Sequence, residues 1–402
     1  MENPRALSLP PFFTYAYFSL FALSIVLMNP WGSNRGEIWT QPKVTVVVIL
    51  ALLNLCFLLL QRKDLVLSAV WKRAAALWAC FLVVGLLSTL FSPSPLSSLR
   101  AHLEMGDGWL YWLLLAVFTL SNVLVVRLNP RLLRVQLFGV LAGGFVLALG
   151  IFPQVFDWRI DYTATSGQVS ASRSYVLVSS IWDGHMPIGF FSNRGHAGFV
   201  LATAAVLALV ALLHRWLKPH YAWAVYVVTS LAVVLTSTRG VWLAFAAGIL
   251  YLIWRFWRQP ASRRVLLWAV TPFVLSFAAF LAVNTVFDIQ SRNMPSLQAD
   301  LNALTSERQY LWGMAAQAIS ERPLIGWGFN GFGIAWAYIA DWGRYGEYLS
   351  RGVPIAEITS VNNYGFSYLG EDGRQLRGRV KTNKSHNIIL DTAISIGLLG
   401  LV

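Results

Sequence analysis

Three side chains far apart in the chain are the ones that could do chemistry: Arg239 in "VVLTSTRGVWLAF", Arg308 in "TSERQYLW" and His386 in "TNKSHNIILD". Two guanidinium groups and an imidazole suit one kind of task. Arginine forks onto phosphate oxygens through parallel N–H donors. A histidine that is neutral near pH 7 accepts a proton from a hydroxyl. Arg239 sits at the mouth of an apolar run, where the orphan N–H groups of a helix start already favour an anion. On position alone, an interfacial arginine snorkelling to lipid headgroups explains it equally well. His386 stands between Ser385 and Asn387, either of which suits an N-cap, so it falls at or just before a first helical turn. Nearby cations and a helix start lower a histidine's pKa there. Plain capping or packing at an interface is the competing reading.

Other groups extend this set. Arg194 and His196, in "FFSNRGHAG", precede another apolar run, and Asp391 follows His386. The stretch "RQLRGRVKTNK" holds Arg374, Arg377, Arg379, Lys381 and Lys384. It reads first as a solvated or headgroup-binding segment; the sharper reading gives Arg377 and Arg379 a phosphorylated lipid acceptor. "GWGFNG" has the spacing of a dinucleotide-binding loop, but it follows a helical pattern rather than a strand, so its glycines are read as a tight re-entrant turn. Cys56 and Cys80 fall inside apolar runs and support neither a disulfide nor a metal site. No Ser/His/Asp set or metal-ligand cluster stands out, so no metal or cofactor is expected.

The elements that must position these groups are membrane helices. The chain of 402 residues is 56% hydrophobic and 12% charged, against about 25% charged in a soluble domain. Continuous apolar runs recur along it, each long enough to cross a bilayer as a helix. Continuity rather than alternation excludes a β-barrel. The fold class is therefore an all-α polytopic membrane protein, with spans near 12–29, 44–60, 74–92, 109–126, 132–152, 195–213, 221–237, 240–254, 265–287 and from 387 onward. The first run has no small-residue cleavage site after it, so it reads as an uncleaved span.

Basic residues concentrate in alternate connections: Arg62, Lys63, Lys72 and Arg73 after the second span, and Arg255, Arg258, Arg263 and Arg264 after the eighth. Those connections are cytoplasmic and the N-terminus is inside. The net charge of +13 is then mostly a topology signal and not a sign of nucleic acid. Residues 1–287 form the first nine spans, with an outer segment near 153–194. Residues 288–385 form a large, helical outer loop, nearly balanced in charge, in which 297–321 reads as an amphipathic helix stopped by Pro323. Residues 386–402 begin a tenth span that is expected to continue past Val402. The span cores hold almost no ionisable groups, unlike those of an ion-coupled transporter. Instead Arg194, Arg239, His386 and Asp391 share one depth at the outer boundary.

The order "TSTRG" opening a span, then "SERQYLW…ERPLIGWGFNGF", then "SHNIILDTAISIGLLGL" resembles the O-antigen ligase and polymerase family. Three individually weak motifs, in order around one outer loop, carry the resemblance over roughly residues 190–402. It implies a membrane glycosyltransferase of about twelve helices in a bacterial inner membrane, with its active site on the periplasmic face. Such a ligase moves polysaccharide from undecaprenyl pyrophosphate to a sugar hydroxyl of lipid A–core, without a metal and with inversion. Its essential arginines match Arg239 and Arg308, its histidine matches His386, and Arg194 falls in a polar segment of its relatives. A polymerase or a protein O-oligosaccharyltransferase would use the same donor; a lipid-linked-sugar transporter would move it without bond formation. Neither the donor glycan, the acceptor sugar nor the oligomeric state is written in the residues.

Overall fold

The computed structural model describes residues 11–32, 34–62, 65–102, 104, 106–155, 162–163, 168–169, 187–286, 308–362 and 365–401. The chain divides into two compact units. The first comprises Met1–Leu65 and Ser121–Met294, the second Val66–Leu120 and Pro295–Val402.

The first unit is a helical bundle of α1 (Pro11–Val26), α2 (Gln41–Leu60, entered through a π-helical turn at Gly36–Thr40), the end of α5 (Trp109–Leu128) and α6 (Arg131–Val155). It continues with α7 (Arg194–Leu213), α8 (Pro219–Leu235), α9 (Arg239–Phe256) and α10 (Pro260–Val286). Between α6 and α7 lie two short antiparallel strands, β1 (Tyr162–Thr163) and β2 (Gln168–Val169). Lipid supplies no hydrophobic drive between helices, so close approach of small residues must hold them. α7 does this: Ala197, Ala204, Ala205, Ala208 and Ala211 are fully buried. On α6, Gly144 abuts Ala204, while Gly139 and Gly143 abut the α1 backbone. A side chain at any of the three would push a helix away.

The second unit contains α3 (Ala69–Leu90), the short α4 (Pro95–Arg100) and the start of α5, followed by α11 (Arg308–Glu321), α12 (Gly331–Ile339) and α13 (Trp342–Tyr345). Strands β3 (Ile355–Val361), β4 (Gly365–Gly370) and β5 (Gln375–Arg379) form one antiparallel sheet in sequence order, and α14 (Ile388–Ile396) follows. Leu311, Met314, Ala315 and Ala318 of α11 pack with Trp327, Phe332 and Trp336 and with Phe366 and Tyr368 of β4.

Seven described helices are long and apolar enough to cross a bilayer: Gly36–Leu60, Ala69–Leu90, Trp109–Leu128, Arg131–Gln154, Arg194–Leu213, Arg239–Phe256 and Pro260–Ala282. α1 and α8 are shorter apolar helices where the first and seventh spans were expected. The all-α polytopic membrane fold is thus borne out. Two features differ from the sequence reading. The long loop expected over 288–385 is not purely helical: "GFSYLG" and "QLRGR" alternate in burial and form a sheet with "IAEITSV", and Gly373, at φ 73°, closes the turn between β4 and β5. The apolar run after Asn387 forms a helix of nine residues, not a continuous span to Val402. It stops at Gly397, at φ 70°, because the loop after Pro323 crosses its end: the Trp327 and Gly328 N–H groups donate to the Ile394 and Ser395 carbonyls, and Leu398 N–H donates to Pro323 O. Of the helix predicted over 297–321, the part from Arg308 is present, with the expected face buried; Leu297, Leu301 and Leu304 lie outside the described residues, as do 288–307 generally and most of 153–194.

Candidate active site

In the second unit, the loop before α14 is built to hold one side chain. Asn387 caps α14: its Oδ1 accepts from Ile389 N–H at 3.0 Å and Leu390 N–H at 3.4 Å. Asp391, in the first turn, reaches back to accept from Ser385 N–H at 2.8 Å, and Ser385 is fully buried. A carboxylate suits a helix start. Clamped between them, His386 takes φ 61°, the left-handed region that a residue with a Cβ rarely adopts. Strain of this kind persists only where its surroundings over-determine it, and it clusters at functional sites.

His386 lines a cavity of about 330 Å³. One wall is aromatic: Phe81, Trp112 and Phe329, with the Trp112 and Phe329 rings stacked 6.3 Å apart and Phe81 meeting Trp112 edge-on at 5.3 Å. The other is polar: Asp107, Lys384, Asn387, Asp391 and Thr392. Lys384 pairs with Asp107. The His386 pKa lies below the ordinary histidine value. Partial burial is the largest cause; the Arg308 guanidinium and the Lys384 ammonium add to it, and the Asp391 carboxylate opposes them. As a residue His386 is exposed, and it lines the open cavity, so a substrate can reach it. A lowered pKa favours the neutral imidazole, the form that can take a proton from a hydroxyl.

Arg308 is the first residue of α11 and is exposed. A cation there opposes the helix dipole, which favours an anion at that end. Arg239 and Arg194 of the first unit occupy the same position, opening α9 and α7. Ser237, at φ 50°, turns the chain between α8 and α9, and Thr238 makes no side-chain cap to α9, its hydroxyl donating backwards to Thr236 O at 3.1 Å. α7 is capped by Asn193, which accepts from Gly195 N–H at 2.7 Å. A Cβ at Gly195 would touch Thr238, and one at Gly198 would press on Val241 and Thr236. The first turns of α7 and α9 therefore lie side by side, each opening on an arginine. Two helix starts and two guanidinium groups make a positive corner suited to an anion such as a pyrophosphate.

Arg377 and Arg379 are exposed on β5, alternating with buried Gly378, and do not line the cavity. The "GWGFNG" glycines serve packing, as the turn reading held. Gly326 and Gly331 lie against the Ile394 carbonyl and Gly328 against Ser92 and Ser98. Asp107 and the aromatic wall were missed. The available signal was "EMGDGWLYW", an acid followed by aromatics at the start of the fourth span. No group of three or more His, Cys, Asp or Glu able to hold a metal occurs among the described residues.

The fold and these sites define a polytopic helical membrane protein with a histidine-lined cavity and arginines at helix starts. Comparison adds the family likeness: residues 224–402 match the family model described as O-antigen ligase, the family that the motifs resemble. A curated relative, a general O-oligosaccharyltransferase of Acinetobacter baylyi (strain ATCC 33305 / BD413 / ADP1), is 27% identical over 176 residues. That match covers 38% of this chain and 30% of the relative, so the chain spans under a third of the relative's length. No solved structure matches.

Proposed function

We propose that the protein is a membrane glycosyltransferase that transfers a glycan from undecaprenyl pyrophosphate to an acceptor hydroxyl, on the periplasmic face of a bacterial inner membrane with its N-terminus in the cytoplasm. The observation that carries this reading is His386, held in a strained backbone conformation on the wall of a cavity, with its pKa lowered by partial burial and by Arg308, within the portion that matches the family model. The acceptor hydroxyl gives its proton to the imidazole as its oxygen bonds to the anomeric carbon. The bond from that carbon to the pyrophosphate oxygen breaks, with inversion, and undecaprenyl pyrophosphate leaves. Arg194 and Arg239 are assigned to the pyrophosphate and Arg308 to the charge that grows on it; fixed arginines supply this stabilisation without a metal. Arg377 and Arg379 are assigned to phosphates of the acceptor.

Lipid A–core is the first acceptor, taken from the resemblance of the motifs to O-antigen ligases. A protein hydroxyl is the second, favoured by the relative named as a general O-oligosaccharyltransferase. The test offers the purified protein one lipid-linked donor with lipid A–core or with a Ser/Thr-rich periplasmic protein, in separate reactions. Glycan on lipid A–core alone supports ligation; glycan on the protein alone moves the assignment to the second reading. Lengthening of the donor glycan with neither acceptor modified would replace both by polymerisation.

A further inference from the structure

A lysine in the first turn of α2 has no place in the chemistry above, yet it is one of the most constrained polar groups in the first unit. Lys43 is only 9% exposed. Its ammonium donates to three backbone carbonyls: Leu27 at 2.8 Å, Trp39 at 3.0 Å and Phe190 at 2.6 Å. It also lies 4.7 Å from the Phe191 ring centroid. Three donors meet three acceptors, so the group is saturated. No carboxylate pairs with it among the described residues. Burying an ammonium with no carboxylate beside it is costly. If filling space were all that position 43 required, an apolar side chain of similar volume would do it with no charge to desolvate.

What the ammonium does is set by where its carbonyls come from. Leu27 follows α1, Trp39 belongs to the turn entering α2, and Phe190 lies in the segment 187–193 that leads directly into α7. Gln154 of α6 holds that segment at its other end. Its Oε1 accepts from Ile188 N–H at 3.0 Å and Gly189 N–H at 2.8 Å, and its Nε2 donates to Gly189 O at 3.0 Å. Gly189, at φ 59°, lies against Leu147. Asn193 then caps α7, and Arg194 opens it beside Thr238.

We infer that Lys43 is a positioning residue for donor binding: through the Phe190 carbonyl it fixes the segment that sets Arg194 in the positive corner formed by the starts of α7 and α9. This rests on the reading above that Arg194 holds the donor's pyrophosphate. A misplacement of about 1 Å is enough to weaken such a contact heavily.

The test compares Lys43→Met, Arg194→Ala and the double variant in the purified protein, with donor KM and kcat measured separately against lipid-linked donor. Lys43→Met is expected to raise donor KM about 10- to 100-fold with kcat nearly unchanged. The double variant should be no worse than Arg194→Ala, because one residue acts through the other. Lys43→Arg should not rescue, since a planar fork does not fit three converging carbonyls. Gln154→Leu, which frees the same segment from its other end, provides the same readout should Lys43→Met fail to fold. If Arg194→Ala loses donor affinity while Lys43→Met and Gln154→Leu do not, or if the losses add, the inference is overturned and the donor reading stands. If Arg194→Ala binds donor normally, the donor reading of Arg194 falls and takes the inference with it.

Discussion

Replacing His386 by glycine separates a chemical role from a structural one, because the backbone there is already in glycine's territory at φ 61°. An ordinary side chain in the left-handed region costs about 1 kcal/mol. His386→Ala keeps that strain; His386→Gly removes it but adds about 0.4–1 kcal/mol of freedom to the unfolded chain. The two variants should therefore lie within roughly 1 kcal/mol of each other and of the parent in stability. Loss of a general base is a larger effect, about 10²- to 10⁴-fold in turnover, or about 3–5 kcal/mol. Both variants should show that loss equally. The cavity of about 330 Å³ beside the missing ring admits free imidazole, so millimolar imidazole should restore part of the turnover in His386→Gly. The assay is single-turnover transfer from lipid-linked donor, with the folded fraction checked by size-exclusion and thermal unfolding. Near-parental turnover in either variant refutes the base. Activity in glycine but not in alanine would show that residue 386 matters for its backbone alone.

The electrostatics around His386 predict shifts of opposite sign. Arg308→Met removes a charge that holds the histidine pKa down, so the pKa rises and the acidic limb of kcat/KM moves to higher pH; Asp391→Asn keeps the acceptor for Ser385 N–H but removes a charge that raises the pKa, so the limb moves lower. A pH–rate profile in which both limbs stay fixed contradicts the assignment. Arg239→Lys should recover no more than about a tenth of parental kcat/KM for donor, because an ammonium lacks the fork; parental turnover would remove the bidentate contact. Gly326→Ala combines φ 67° with a Cβ pressed on the Ile394 and Ser395 carbonyls. It should cost about 1–2 kcal/mol or more and lower the Tm by about 3 °C or more, read by thermal unfolding in detergent.

The spans were legible because lipid forces every backbone group to be satisfied within a helix, which leaves long apolar runs in the sequence. The buried face of α11 was legible for the same kind of reason: Leu311, Met314, Ala315 and Ala318 repeat at helical spacing. The sheet was less so. Its strands are five to seven residues long, and β3 alternates imperfectly, with register shifts at Ile355/Glu357 and Ile358/Ser360. The Asp107–Lys384 pair could not be read, since 277 residues separate its members. Nor could the early end of α14, which depends on carbonyls taken by Trp327 and Gly328 rather than on any break before Gly397. Local signals reported elements and single reactive groups; contacts made across hundreds of residues required the fold.

The most direct test of glycosyl transfer with His386 as base is the stoichiometry of one turnover by the purified protein in the presence of a chelator. The account predicts one undecaprenyl pyrophosphate released for each glycan joined to an acceptor hydroxyl, with the anomeric configuration inverted and the yield lost in His386→Gly. Release of undecaprenyl pyrophosphate without a new glycosidic bond, retention of configuration, or undiminished yield in the variant would contradict it.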